Sequence, residues 1–393
     1  MKKIAFVTPW FDENIPGGAE MELRGIASRL SLADIDVEIL TTCVKEFSAD
    51  WNINYFNAGV CEVMGLNVRR FLVDAKTTKN FHEINLKLMN NIPISLKEED
   101  TFLEEMVNSR ALYDYIAENK EKYELFVYIP YMFGTTYYGA LACLEKTVLI
   151  PCLHNESYAY MQRFKEVFSK VKGMVFNAEP ESQLAHRIYD LTHVETTVLG
   201  TGLETEISGD KQRFMQKYNI HSPYILYAGR KDVGKNVDTL IQYFDEYKKR
   251  NSNDLKLVLI GGGEIEIPSS SKNEVIDLGF VPVQDKYDAC SGSLLLCQPS
   301  KNESFSLVIM ESWLCGRPVL VNEQCEVTKH FACSSGGGLY FNNYFEFEGG
   351  INYLQKNKEI SEHMGLQGQE FVKQNFSWDV VVDKYIKFFK KVS

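Results

Sequence analysis

The 393-residue sequence predicts an α/β fold built from two doubly wound, Rossmann-like domains. Three observations predict it. Short apolar runs rich in β-branched and aromatic residues alternate with amphipathic stretches, the pattern of βαβ units. These runs lack period-two alternation, which suits parallel strands covered on both faces. The pattern also restarts after a polar segment with Gly and Pro, GTGLETEISGDKQRFMQKYNIHSP (200–223), so two βα series of ~200 residues follow one another. The domains are placed at 1–205 and 206–376.

In chain order, KIAFVT (3–8) reads as a buried strand. MELRGIASRL (21–30) puts Leu23, Ile26, Ala27 and Leu30 on one helical face. VEILTTC (37–43), NVRRFLV (67–73), ELFVYIP (124–130), TVLIPCL (147–153), GMVFNA (173–178) and TTVLG (196–200) continue as strands. The more polar stretch 76–120 reads as an inserted helical pair. In the second half YILYAGR (224–230) is a strand and VDTLIQYFDEYKKR (237–250) a helix. LKLVLIGGGE (255–264), VIDLGFV (275–281), SLLLCQPS (293–300), RPVLVNE (317–323) and GGLYF (337–341) follow as strands, and the last ~35 residues read as two helices. Ligands of doubly wound sheets sit at the carboxyl ends of the strands, so a cleft between the two domains is the expected site.

Composition narrows the function classes. Hydrophobic residues make up 45% and charged residues 24%, an ordinary globular profile. A net charge of -11 argues against nucleic acid as the main partner. The N-terminal MKKIAFVTPWF has too short an apolar run for a signal peptide, and Asp12 and Glu13 follow it. No stretch approaches the ~18 apolar residues that span a bilayer. Nine scattered cysteines without CxxC or zinc-like spacing suit reduced thiols in a cytoplasmic protein. The basic, amphipathic YIKFFKKV near the C-terminus is a candidate for peripheral contact with anionic lipid, its alternative being a helix packed on the protein.

Four loops carry residues suited to chemistry. In PSKNESFSLVIMESW, Glu303 falls in a loop at a strand's carboxyl end, and Glu311 falls inside the following helix, begun at Phe305. Amides near Ser304, Ser306 and Leu307 then lie at a helix N-terminus, where anions are favoured. Two carboxylates could grip hydroxyls while the amides grip oxygen or phosphate; the alternative is a capping acid and a solvated helix glutamate. In YAGRKDVGKN, Gly229 and Gly234 permit tight turning, and Arg230 and Lys235 suit a diphosphate, one as a planar fork and one as a point charge. Gly17 and Gly18 stand just before the first helix, where a backbone can approach a ligand closely, although the GxGxxG fingerprint is absent. His154 follows the apolar run TVLIPCL and emerges at a strand end. The one D-x-D, Asp34 to Asp36, sits in a turn at the opposite end of the sheet.

Together these motifs resemble glycosyltransferase family 4, retaining "group 1" enzymes of the GT-B fold, two facing Rossmann-like domains. Glu303-Ser304-Phe305-Ser306 through Glu311 resembles the family's E-x7-E motif, often written with glycines as E-G-F-G. CGRPVL, YAGRKDVGKN, PGGAE and LGTGLE resemble its other signature segments, and FSWDVVVDKY resembles the C-terminal helix, about 377–393 here, that crosses back to the first domain. The resemblance is strongest over 224–340 and thin over 45–125. Serines stand where E-G-F-G has glycines, and Thr201-Gly202 replaces Asn-Gly.

The resemblance implies an N-terminal acceptor-binding domain, a C-terminal domain for a UDP- or GDP-linked sugar, and a glycan or lipid-linked acceptor, in surface polysaccharide or glycoconjugate synthesis. Glu303 would accept from sugar hydroxyls and Glu311 from the ribose. Arg230 and Lys235 would stabilise the departing diphosphate without a metal or other cofactor. His154 would touch the sugar near its reacting carbon, and residues 279–281, Phe280 among them, would lie near the nucleobase. The alternatives are a GT-B nucleotide-sugar epimerase and a sugar-nucleotide-binding scaffold without catalysis. A nucleotide-dependent oxidoreductase is disfavoured by the missing GxGxxG.

Overall fold

The structure, a computed structural model, describes residues 2–393. The chain divides into two compact units, Met1–Gly202 with Trp378–Ser393, and Leu203–Ser377. Each is built on one largely parallel sheet.

The first unit holds β1 (Lys3–Thr8), β2 (Val37–Thr42), β3 (Gly59–Val63), β4 (Leu66–Phe71), β5 (Tyr123–Tyr128), β6 (Thr147–Leu149), β7 (Gly173–Phe176) and β8 (Glu195–Val198). They lie in the order β3-β4-β2-β1-β5-β6-β7-β8. All neighbours are parallel except β3, which pairs antiparallel with β4. β1 and β2 are almost wholly buried, as strands covered on both faces require. Sequence reading passes over β3, GVCEV, a short strand at the sheet edge whose residues are nearly all exposed. A tight turn makes it, with Met64 at φ 54° and Gly65 at φ 75° reversing the chain between β3 and β4.

The stretch 76–120 folds as three helices rather than the expected pair: Lys79–Met89, Leu96–Glu105 and Arg110–Asn119. Caps separate them. Ser95 and Glu98 form a reciprocal capping box, and the Ser109 hydroxyl accepts from the Leu112 amide. Phe81, Ile84, Leu88, Phe102, Leu103, Leu112 and Ile116 then share one core beneath the sheet.

The final helix, Trp378–Val392, belongs to the first unit. The Trp378 ring lies in a cradle that needs two glycines: a Cβ would sit 2.3 Å from the ring at Gly25 and 2.2 Å from it at Gly202. Val381, Tyr385, Phe388, Phe389 and Val392 are buried in the same core as β1, β2 and β5. The apolar face of YIKFFKKV is therefore taken up by protein, so this face is not free to meet lipid. No described helix is long and apolar enough to cross a membrane.

The second unit holds β9 (Tyr224–Ala228), β10 (Lys256–Ile260), β11 (Val275–Asp277), β12 (Leu295–Gln298), β13 (Val319–Asn322) and β14 (Gly338–Phe341). All pair in parallel, in the order β11-β10-β9-β12-β13-β14. Numbered within the unit this is 3-2-1-4-5-6, the Rossmann order, with its reversal between β9 and β12. The polar segment 200–223 also contains a helix, Lys211–Tyr218. Its Asp210 N-cap accepts from the amides of Gln212 and Arg213, and Asn219 closes it in the left-handed conformation.

Candidate functional site

The reversal point places the loops after β9 and β12 side by side. Strand order reverses there, so the crossovers leave in opposite directions and a crevice opens at the strand carboxyl ends. Both loops converge on one backbone carbonyl. Asn236 Nδ2 and Asn322 Nδ2 each donate to the Pro299 oxygen at 3.0 Å, tying the loops after β9 and β12 to the end of β13. Asp232 caps the short helical turn Val233–Lys235 by accepting from the Lys235 amide at 2.9 Å. This tether brings Lys235 Nζ to Glu303 Oε1 at 2.7 Å, across 68 residues of sequence.

Glu311 lies nearby in chain and fold. Its helix runs Leu307–Leu314, two residues later than the Phe305 start expected from sequence. Glu311 is its one charged residue and is 7% exposed. One oxygen, Oε1, accepts from Lys286 Nζ at 2.6 Å. The other, Oε2, is buried and has no hydrogen-bond partner among the described residues. Oε2 is therefore able to accept from a further donor. Ser306 caps this helix at φ 75°, a left-handed conformation that glycine adopts freely and serine under strain. Phe305 packs into an aromatic cluster with Phe331 at 5.3 Å and Phe376 at 5.0 Å, so its backbone alone is left for a ligand. Ser304 lies in the loop between Glu303 and that cap.

The loops after β9, β10 and β11 are knitted backbone to backbone. The Gly229 amide donates to Ile260, Lys231 to Gly262 and Gly261 to Gly279, at 2.7–2.9 Å. Buried Lys231 reinforces them, donating to Asp277 Oδ1 at 2.5 Å. Arg230 differs: its side chain is 69% exposed and stands 3.5 Å from Asp232. Its backbone is held instead, the Tyr227 hydroxyl donating to the Arg230 carbonyl at 2.5 Å. Burial first, then the Glu303 charge, push the Tyr227 phenol up and keep it a donor. Phe280 is 83% exposed, its ring close over Gly262.

The remaining expected residues lie in the first unit. Gly17, at φ 141°, is the N-cap of helix Gly18–Leu32; a Cβ on it would meet the Glu20 carboxylate at 1.9 Å. Gly18 has open space around it. His154 lies beyond β6, its Nδ1 3.6 Å from Glu156 Oε1, which also accepts from the Tyr131 hydroxyl at 3.0 Å. Burial alone would raise Glu156; His154 and Tyr131 outweigh it and hold the carboxyl below its usual range. Beside this loop is a cavity of about 360 Å³ whose lining includes Asn91, Ile92, Asn155, Glu156, Ser157 and Tyr160. Asp34 and Asp36 sit in the turn between helix Gly18–Leu32 and β2. Among the described residues no group of three or more His, Cys, Asp or Glu could hold a metal ion.

Sequence reading missed Lys286, Lys231 and Glu156. Lys286 gave no signal, because 25 residues separate it from Glu311. Glu156 could have been found, two residues from His154 in HNE.

Residues 210–371 match the family model for glycosyl transferases group 1. That stretch contains Arg230, Lys235, Lys286, Glu303 and Glu311. An uncharacterized glycosyltransferase of Methanocaldococcus jannaschii is 23% identical over 176 residues, 42% of this chain and 44% of that one. A D-inositol 3-phosphate glycosyltransferase of Jonesia denitrificans is 22% identical over 236 residues, 55% of this chain and 56% of that one. The chain thus spans about half the length of the curated relatives it matches. Solved structures are alike over the whole chain. Sucrose-phosphate synthase of Thermosynechococcus elongatus has a TM-score of 0.72 at 14% identity, covering 100% of this chain and 99% of that one. Anabaena HepE in complex with UDP and glucose has a TM-score of 0.69 at 14% identity, covering both chains fully. This likeness shows the fold, an α/β chain with two Rossmann-like units, as in GT-B glycosyltransferases.

Proposed function

We propose that the protein is a retaining glycosyltransferase that moves a sugar from a nucleoside-diphosphate donor to a glycan or lipid-linked acceptor. One observation carries the reading. At the Rossmann reversal point a lysine and a glutamate meet at 2.7 Å, and one helical turn or two further on a second, buried glutamate keeps an unpaired oxygen. Lys235 is the point charge for the diphosphate and Glu303 the acceptor for sugar hydroxyls. Arg230, exposed and weakly held, is free to swing onto the phosphates, and the amides at Ser306 and Leu307 add positive potential. Glu311 Oε2 accepts from the ribose. In the first unit the candidates for the donor are the backbone at Gly17 and Gly18 and the side chain of His154, which stands beside Glu156. The cavity beside that loop, with amide, carboxylate and hydroxyl groups on its wall, suits a hydroxylated acceptor. Same-face attack, the leaving phosphate oxygen taking the acceptor proton, retains the anomeric configuration. Positive potential comes from fixed groups, so the reaction needs no metal. UDP leads among nucleotides because structural neighbours hold it, including HepE and Staphylococcus aureus TarM.

A thermal-shift screen of UDP, GDP and ADP with excess EDTA tests this reading. A ligand at 100 times its dissociation constant adds about 2.7 kcal/mol of apparent stability, an upward shift of several degrees for a chain of this size. One of the three is expected to give that shift with EDTA present. No shift from any of them would overturn the nucleotide site, and a shift that needs added Mg²⁺ would overturn the metal-free reading.

A further inference from the structure

We infer that Lys286 is the residue that sets the protein's preference for ribose over 2′-deoxyribose, by holding the Glu311 carboxylate in the one orientation that offers Oε2 to the sugar. The inference rests on the proposed ribose role of Glu311 and goes beyond it.

The geometry points to a clamp. Glu311 sits in a helix whose other residues are all uncharged, LVIMESWL, with Ile309, Met310, Trp313 and Leu314 buried around it. A carboxylate so placed needs an opposite charge and a fixed rotamer. Lys286 supplies both from another element, helix Val283–Gly292, reaching Oε1 at 2.6 Å. Its side chain is 20% exposed and that of Glu311 9%, so solvent competes little for the pair. A carboxylate held through one oxygen has its second oxygen fixed in direction. That second oxygen is the buried atom without a partner.

The division of labour follows from hydrogen-bond inventory. A lysine ammonium only donates and an ionised carboxylate only accepts. Lys286 therefore cannot replace the ribose contact; it can only aim it. A sugar hydroxyl is a donor of the size that the remaining oxygen lacks. A site built around a substrate hydroxyl discriminates against the analogue without it, because the acceptor is then left buried and unsatisfied. The helix carrying Lys286 begins directly after Gly279–Val281. The clamp thus joins the segment proposed to face the nucleobase to the helix that faces the ribose. Lys286 acts through Glu311 and is a positioning residue, not a catalytic one.

The test is calorimetric titration of UDP and 2′-deoxy-UDP into the full chain. Wild type is expected to favour UDP by about 10-fold or more, the loss of one charge-assisted hydrogen bond. Lys286→Met should weaken UDP by about 10-fold and leave 2′-deoxy-UDP within about 2-fold, so the ratio collapses. Lys286→Arg, which keeps the charge, should recover at least half of the ratio on a logarithmic scale and guards against a merely misfolded methionine variant. Equal weakening of both nucleotides by Lys286→Met would overturn the inference, since a structural or phosphate-binding lysine acts on both alike. Glu311→Gln separates the two levels. If it collapses the ratio while Lys286→Met does not, the clamp fails and the ribose role stands. If Glu311→Gln leaves the ratio unchanged, the ribose role fails, and the clamp with it.

Discussion

Lys235→Ala and Glu303→Ala are each expected to lower turnover by about 10²- to 10³-fold, the range seen when one preorganised group at a developing charge is removed. The reasons differ. In the proposed reading Lys235 meets charge that grows on the departing diphosphate, so its loss should also weaken binding of the free nucleotide. Glu303 would accept from the sugar, so its loss should fall on turnover and leave nucleoside-diphosphate affinity within a few-fold. The two groups touch at 2.7 Å, so the double variant should cost less than the product of the singles. Steady-state turnover of the four proteins, with nucleotide affinity measured alongside, checks this. Arg230→Ala should cost less, about 10-fold, because the side chain is exposed and reaches the phosphate only by moving. Near-wild-type rates in the Lys235 and Glu303 variants would place the chemistry elsewhere.

Gly261→Ala is expected to cost the second unit about 3–5 kcal/mol and to abolish nucleotide binding. Gly261 has φ 124°, and a Cβ there would lie 2.0 Å from the Gly229 carbonyl oxygen. That contact is with backbone, so the loops after β9 and β10 would have to part. Three backbone bonds hold those loops together, from Gly229 to Ile260, Lys231 to Gly262 and Gly261 to Gly279. Their loss disorders the platform from which Arg230 and Lys235 project. Gly349→Ala is the control: it lies inside helix Tyr344–Lys356 with open space where its Cβ would go. That change should leave stability unaltered or raise it by up to about 1 kcal/mol. Denaturant unfolding of the three proteins decides; equal midpoints for Gly261→Ala and wild type would refute the close-packed loops.

The succession of strands along the chain and the loops after them were legible because apolar runs end where the polar loops begin; the order of strands within each sheet was not. The runs overshoot, however. TVLIPCL reads as seven strand residues where β6 has Thr147–Leu149, and YILYAGR as seven where β9 has Tyr224–Ala228. After β6 the excess residues, Ile150 to Leu153, are buried loop, apolar because they pack into the core, whereas after β9 Gly229 is half-buried and Arg230 exposed. β3 was passed over because it is a short, exposed edge strand of five residues. The three helices of 79–119 were separable only through Ser95-x-x-Glu98 and Ser109, which mark caps within one polar stretch. At the candidate site, residue types and strand ends could be read, and so Glu303, Lys235 and Glu311 were singled out. Partners could not. The Lys286–Glu311 and Lys231–Asp277 pairs join residues 25 and 46 apart, and only the folded sheet order brings them together.

The central claim is that Lys235, Glu303 and Glu311 together activate a nucleotide sugar. The most direct measurement is release of free nucleoside diphosphate from a panel of UDP-, GDP- and ADP-sugars, with the sugar product identified in the same samples. The account predicts release from one donor class by the wild-type chain, continuing in excess EDTA and lost in Lys235→Ala. An isomerised nucleotide sugar would mean an epimerase, and binding of a donor without release or isomerisation, with acceptor glycans supplied, would mean a scaffold; either result contradicts it.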